Sequence, residues 1–218
     1  MNIIAIDGPA GAGKSTIARQ VAKKLGYIYV DTGAMYRAMA LHILNAQCDL
    51  ENEEEIEKLV DSGNIEIIYK DGQELVILNN SNVSDVIRRE EVGNTASKIA
   101  ARECVRKKLV DLQREMAKKT SVVMDGRDIG TEVLPDANVK VYLTASVDTR
   151  AQRRYKELQE KGLICDLDQI KKDIEQRDYQ DMNRKISPLR QAEDAYLLDS
   201  SNLTIEEVVD VIMGLVRK

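Results

Sequence analysis

Residues 8 to 15 constrain this chain more than any other stretch. Gly8-Pro9-Ala10-Gly11-Ala12-Gly13-Lys14-Ser15 fits the spacing GxxxxGK[ST]. It follows a short apolar run, Ile3-Ile4-Ala5-Ile6, closed by Asp7-Gly8, and it opens a segment from Lys14 to Leu25 with Ile17, Val21 and Leu25 at helical spacing. A strand, a glycine loop and a helix in that order make a phosphate cradle. The glycines let the backbone curl until its N–H groups face phosphate oxygens, and the helix turns its positive end to the same anion. Lys14 is then placed to reach the β and γ phosphates, Ser15 to help hold Mg²⁺, and Thr16 to add a backbone or hydroxyl contact. The implied ligand is a nucleoside triphosphate held by the run from Gly8 to Thr16.

The pattern after the loop repeats the same rhythm. Tyr27 to Val30 is a second apolar strand, stopped by Asp31-Thr32-Gly33 ahead of a helix with Met35, Met39 and Ile43 on one face. Val122-Val123-Met124 ends at Asp125-Gly126, Val139 to Leu143 ends at Thr144, and Ala195 to Leu198 ends at Asp199. Five short apolar strands alternating with helices predict an α/β fold with a parallel sheet covered on both faces. From about Gly63 to Arg88 the rhythm breaks. Ile65 to Tyr69 and Glu74 to Leu78 flank Lys70-Asp71-Gly72-Gln73, a hairpin signal, and Asn79-Asn80-Ser81-Asn82 predicts a further turn leading to a third strand at Val83. A small antiparallel insertion is expected there.

Composition narrows the classes. With 218 residues, 43% hydrophobic and 32% charged, the chain can bury one core with an appendage, and three prolines leave no stiff linker between independent domains. A net charge of -5 and the absence of Trp and Phe argue against a nucleic-acid-dependent ATPase with a basic groove and stacking aromatics. No Asn-Lys-x-Asp guanine reader occurs, which weakens the GTPase reading. Cys48, Cys104 and Cys165 lie far apart with His42 as the only histidine, so no metal cage follows, and the thiols are expected as buried core residues. The first strand begins at once and no run reaches the roughly 18 apolar residues of a membrane span, so a cytoplasmic protein is expected.

Phosphoryl transfer spreads charge over equatorial oxygens, which calls for fixed cations on several sides. Arg150, Arg153 and Arg154 fall at i, i+3 and i+4 in a segment opened by Ser146 as helix cap, and share one face; Arg177, Asp181 and Arg184, spaced by four and three, share another. For any one of these arginines the alternative is an ordinary ion pair, with Glu157 or Asp178 as partner. Asp31-Thr32-Gly33 and Asp125-Gly126-Arg127-Asp128 both follow parallel strands, at the sheet edge where ligands bind. A helix cap explains Asp31 and Thr32 equally well, and Asp125 and Asp128 have turn capping as their alternative.

Five motifs together resemble the bacterial cytidylate kinase family: GPAGAGKST at Gly8 to Thr16, DTGAMYR at Asp31 to Arg37, DGRDIGT at Asp125 to Thr131, RAQRR at Arg150 to Arg154, and RDYQDMNR at Arg177 to Arg184. The resemblance covers essentially the whole chain, including LDSSNLTIEEVV from Leu198 to Val209. It implies a three-layer P-loop nucleoside monophosphate kinase fold with a five-stranded parallel sheet. One kinase domain, residues 1–218, is expected, with core segments 1–59, 89–149 and 186–218, a monophosphate-binding insertion at 60–88 and a lid at 150–185.

The resemblance also implies an activity and roles. ATP with Mg²⁺ would donate its γ-phosphoryl group to CMP or dCMP. Asp128 and Arg106 match the positions that read the cytosine amino group and ring acceptors, with Ser97 as an added base contact. Thr32, Arg37 and Arg127 match those that hold the acceptor phosphate, and Arg177 and Asp181 those that meet the sugar. Arg184 falls at the transfer centre, and Arg150, Arg153 and Arg154 in the mobile lid. Lys14, Arg127, the lid arginines and Arg184 are the expected catalytic cations. Thr32 stands where serine is frequent, and Glu103-Cys104 replaces a more proline-like approach to Arg106. Small nucleotides are the expected partners of a monomer, without nucleic acid or membrane. A P-loop kinase for another small acceptor, or a non-catalytic nucleotide-binding regulator, are the competing readings.

Overall fold

Alternating apolar runs and amphipathic segments become eight strands and eight α-helices in the computed structural model, which describes residues 1–70 and 73–217. The strands are β1 (Ile3–Asp7), β2 (Ile28–Asp31), β3 (Ile65–Lys70), β4 (Gln73–Leu78), β5 (Ser81–Asn82), β6 (Val122–Gly126), β7 (Val139–Thr144) and β8 (Tyr196–Asp199). The helices are α1 (Lys14–Leu25), α2 (Thr32–Asn45), α3 (Glu53–Ser62), α4 (Glu90–Ile99), α5 (Glu103–Lys119), α6 (Val147–Glu160), α7 (Leu167–Asn183) and α8 (Ile205–Val216). The chain divides into two units, Met1–Tyr29 with Thr120–Lys218, and Val30–Lys119.

The large sheet has the order β2-β6-β1-β7-β8, of which β6, β1, β7 and β8 belong wholly to the first unit. β1 pairs in parallel with β6 on one side and β7 on the other, and β7 pairs in parallel with β8. All five residues of β6 and four of the five in β1 are buried, which is why these segments read as continuous apolar runs without alternation. β8 lies at the edge, and there Tyr196 and Leu197 are exposed. α1 packs on β1, β6 and α8, and its Ile17 and Val21 join Ile4, Ile6, Val123, Leu143, Val209 and Ile212 in the core. The register places Asp7 and Gly126 opposite each other at the carboxyl ends of central strands. That is the edge of an α/β sheet at which ligands bind.

α6 and α7 pack on each other through Ala151, Ile170 and Ile174, a small core of their own. Ser146 caps α6 as the sequence predicts, accepting from Thr149 N at 3.1 Å. Arg184, by contrast, is not on the face that Arg177 and Asp181 share: α7 ends at Asn183, and Arg184 takes extended backbone angles as the chain leaves the helix toward Ser187-Pro188.

The second unit packs α2 against α4, and α3 against α5, with Met35, Met39 and Ile43 fully buried on the predicted face of α2. The insertion is an antiparallel sheet of order β3-β4-β5, paired from Ile65↔Leu78 onward. The predicted Asp71-Gly72 turn lies outside the described residues. At the other end the turn is tighter than the sequence suggests. Only Asn79 and Asn80 form it, both left-handed at φ 47° and 67°, so that Ser81 and Asn82 already pair with Leu78 and Ile77. Asparagine tolerates that conformation well enough to close a two-residue hairpin, which brings the third strand forward from Val83.

The cysteines depart from expectation, since all three are half-buried. Cys48 and Cys165 lie in helix connections, Cys165 at the rim of the small α6–α7 core, and Cys104 in the first turn of α5. Among the described residues no helix is long and apolar enough to cross a membrane, and no cluster of three or more His, Cys, Asp or Glu side chains forms a metal cage.

Gly8 has φ 152°, and a Cβ there would fall 1.9 Å from the Leu143 carbonyl oxygen on the neighbouring strand. Backbone cannot retreat from that clash as a flexible side chain would. Gly8→Ala is therefore expected to cost about 3 kcal/mol or more, lowering the unfolding temperature by about 6 to 12 °C. Gly214→Ala, at an exposed helical position where a Cβ meets nothing, should stabilise by about 0.5 to 1 kcal/mol. Thermal unfolding of the two variants beside the parent checks both signs.

Candidate active site

The phosphate loop takes its shape from three left-handed or otherwise positive backbone angles, at Gly8, Gly11 and Gly13. Gly13 precedes α1 and supplies no side-chain cap, so the first amides of that helix keep their donors for an incoming anion. Lys14 is buried and folds back to donate to the Pro9 carbonyl at 2.8 Å. Burial, aided by repulsion from Arg127, pushes its pKa down to about 7 despite attraction from Asp125, Asp181 and Asp7. Ser15 donates its hydroxyl to Asp125 Oδ2 at 3.0 Å, and Tyr29 donates to Oδ1 of the same carboxylate at 2.7 Å.

Each predicted arginine of this unit has a definite place. Arg127 donates from Nε to Asp181 Oδ2 at 2.8 Å. Burial, the largest single influence, disfavours its charge, yet Asp181 together with Asp125 and Asp178 outweighs it, and the guanidinium titrates above its ordinary value. Arg150 points inward from α6 and donates to the Ala145 and Ala10 carbonyls, both at 2.9 Å, and to Asp178 Oδ2 at 2.6 Å. Asp178 Oδ1 in turn accepts from Ala10 N at 3.0 Å. One carboxylate on α7 thus joins Arg150 to the phosphate loop. Arg184 forms an ion pair with Asp128 at 3.5 Å and donates from Nε to the Ser187 carbonyl.

The three lid arginines do not share one environment, although their spacing predicts a common face. Arg150 is buried, Arg153 donates to the Ser200 carbonyl at 2.7 Å, and Arg154 pairs with Glu157 at 2.8 Å in solvent. The positions turn by 100° per residue, and the packing of α6 against α7 separates what a helical wheel groups. Arg177 is exposed on α7, with Asp181 half-buried one turn on.

Asp128 is only 5% exposed and heads a single π-helical turn, Ile129–Val133. That turn is tied to β1, because Asp7 accepts from Ile129 N at 2.8 Å and Gly130 N at 2.7 Å. Burial lifts the Asp7 carboxyl to about 6, although both amides and Lys14 favour its charged form.

In the second unit, Asp31 caps α2 by accepting from Ala34 N at 2.8 Å, and also pairs with Arg37 at 3.2 Å. Asp31 is therefore the helix cap, and the same carboxylate also holds the Arg37 guanidinium. Thr32 is buried in the first turn. Arg37 Nε is buried without a hydrogen bond among the described residues. Arg106, on α5, lies buried with its guanidinium 6.0 Å from the centroid of the Tyr36 ring of α2, and Ser97, on α4, donates to the Gly93 carbonyl at 3.2 Å.

Asp7 and Tyr29 lie outside the five motifs, and Asp178 lies inside RDYQDMNR with no role assigned to it. Asp7 carried one usable signal, a carboxylate at the carboxyl end of a buried strand beside the phosphate loop. Asp178 was visible only as an alternative partner for an arginine.

The family model for cytidylate kinase matches residues 4–218. A cytidylate kinase of Lactobacillus gasseri is 53% identical over 99% of this chain and 94% of its own length, and one of Bacillus thuringiensis is 52% identical over 98% and 95%. A shikimate kinase of Bacteroides thetaiotaomicron superposes with a TM-score of 0.51 at 16% identity, covering 100% of this chain and 99% of that one. At that identity the superposition supports the α/β fold alone.

Lys14 generates a prediction of its own. An adjacent polyphosphate should restore its ordinary pKa, so binding of a non-hydrolysable triphosphate analogue at pH 8 should take up on the order of one proton per site. Calorimetry in buffers of different ionisation enthalpy measures this directly, and the uptake should vanish in Lys14→Met.

Proposed function

Because this chain belongs to the cytidylate kinase family, we propose that it transfers the γ-phosphoryl group of ATP to the 5'-phosphate of CMP and dCMP, giving CDP and dCDP. The observation that carries the base preference is Asp128, a buried carboxylate presented at the sheet edge next to Arg184. Cytosine shows an amino donor beside ring acceptors, so it needs a carboxylate for the first and a guanidinium for the second. Asp128 accepts from the amino group, Arg106 donates to the acceptors, and Ser97 adds a polar contact. Uracil would set a carbonyl against Asp128, a buried mismatch of roughly 1 to 3 kcal/mol.

Thr32, Arg37 and Arg127 hold the acceptor phosphate, Arg177 and Asp181 meet the sugar, and Arg184 lies at the reacting phosphoryl group. The run from Gly8 to Thr16 binds ATP, with Lys14 on its terminal phosphates. Ser15 and Asp125 put two hard oxygen donors 3.0 Å apart, which suits Mg²⁺ completed by phosphates and water, and the ion when bound neutralises charge on the donor phosphates. No general base is needed, since the acceptor phosphate is already anionic near neutral pH. The residues contribute alignment and charge stabilisation. Segment 150–185 acts as the lid that excludes water, with Arg150, Arg153 and Arg154, and segment 60–88 extends the monophosphate side of the core formed by 1–59, 89–149 and 186–218. This reading expects a cytoplasmic monomer acting on free nucleotides.

A panel of monophosphates in a coupled ADP assay tests the proposal. CMP and dCMP should exceed UMP by about 5- to 150-fold in kcat/KM, with AMP slower still; equal rates with AMP and CMP would refute the base reader. Asp128→Ala should raise KM for CMP by about tenfold or more while KM for ATP holds. Collapse of ATP affinity with CMP affinity intact would contradict the assignment. Lys14→Ala should abolish most turnover, whereas a parent with no turnover at all would indicate a regulator.

A further inference from the structure

Asp128 occupies the position from which an aspartate ordinarily caps its own helical turn. Its backbone carbonyl does accept from Glu132 N and Val133 N, at 2.9 and 3.1 Å, but its side chain makes no cap bond. The leading amides of the turn, Ile129 N and Gly130 N, are satisfied instead by a residue 122 and 123 positions away in sequence. Asp7, the last residue of β1, gives one carboxylate oxygen to each. An aspartate cannot both cap its own turn and direct its carboxylate away from that turn.

We propose that Asp7 is a positioning residue for pyrimidine recognition: by capping the Ile129–Val133 turn in place of Asp128, it releases the Asp128 carboxylate to face the base and fixes the turn that carries it. The proposal rests on the cytidylate kinase reading and adds a residue to it. The role assigned to Asp7 needs no contact with substrate. It acts through two buried hydrogen bonds, and only a carboxylate fits both, because each amide needs an acceptor. An asparagine offers one oxygen, and its NH₂ would oppose the other N–H. Where the unmet amide is Gly130 N, the second position of the turn that an N-cap aspartate reaches, the Asp128 carboxylate turns to accept from it and the base loses its reader.

The test is Asp7→Asn, assayed with CMP, UMP and ATP. KM for CMP should rise by about tenfold or more and the preference for CMP over UMP should fall by a similar factor, while KM for ATP stays within about twofold. In an Asp128→Ala background, Asp7→Asn should change the CMP-to-UMP ratio no further, since both substitutions remove the same reader. Two outcomes overturn the proposal. One is an unaltered CMP-to-UMP ratio; the other is a rise in KM for ATP as large as that for CMP, which would make Asp7 a support of the adjacent phosphate loop. If Asp7→Asn fails to fold, amide hydrogen exchange on the ligand-free parent decides: Ile129 and Gly130 should exchange as slowly as the buried amides of β1, and fast exchange at either would refute the tether. A parent inactive on CMP would sink the kinase reading while leaving the exchange measurement informative about the tether.

Discussion

Three arginines of the first unit, the proposed cations of a polyphosphate site, are each compensated by one carboxylate. Arg150 is held by Asp178, Arg127 by Asp181 and Arg184 by Asp128, at 2.6, 2.8 and 3.5 Å. Asp178 and Asp181 lie one turn apart on α7, so a single helix neutralises two of the three. Buried charges left unpaired would cost several kcal/mol each, enough to rearrange the loop that carries them. Lys14 shows the limit of this compensation. Burial and repulsion from Arg127 outweigh the nearby carboxylates, and its pKa falls to about 7.

The scaffold makes these contacts possible through register. β1, β6 and β7 are parallel and in step, so the phosphate loop after β1 and the Asp125 to Asp128 segment at the end of β6 emerge at the same edge. Ser15 meets Asp125, and Asp7 meets the amides of Ile129 and Gly130, as direct consequences of that pairing. A shift of one residue in the β1–β6 pairing would carry both contacts out of reach. The core that fixes the register is the apolar cluster of Ile4, Ile6, Val123, Val141 and Leu143 with α1 and α8.

Much of this was legible in the sequence because the strands of a covered parallel sheet are short apolar runs and the helices between them carry strong spacing. The phosphate loop, the five strands, α1 to its last residue and the Ser146 cap all follow from local pattern. What pattern could not reach is pairing between distant segments. Nothing near Asp7 announces Ile129, and the spacing of Arg150, Arg153 and Arg154 cannot tell that α7 will bury the first and leave the third in water. Spacing also placed Arg184 on a helix that ends one residue earlier. The cysteines failed for a plainer reason: burial preference is an average, and these three lie near helix ends and in connections.

Charge compensation ahead of ligand is the claim on which the rest depends, and Asp178→Asn in the ligand-free protein tests it most directly. Removing one partner of a buried ion pair costs about 3 to 5 kcal/mol, which for a chain of this size lowers the unfolding temperature by about 6 to 20 °C. That drop, measured by calorimetry without nucleotide, is the predicted result. An unfolding temperature within about 2 °C of the parent would show that Arg150 does not need its carboxylate, and would contradict the account.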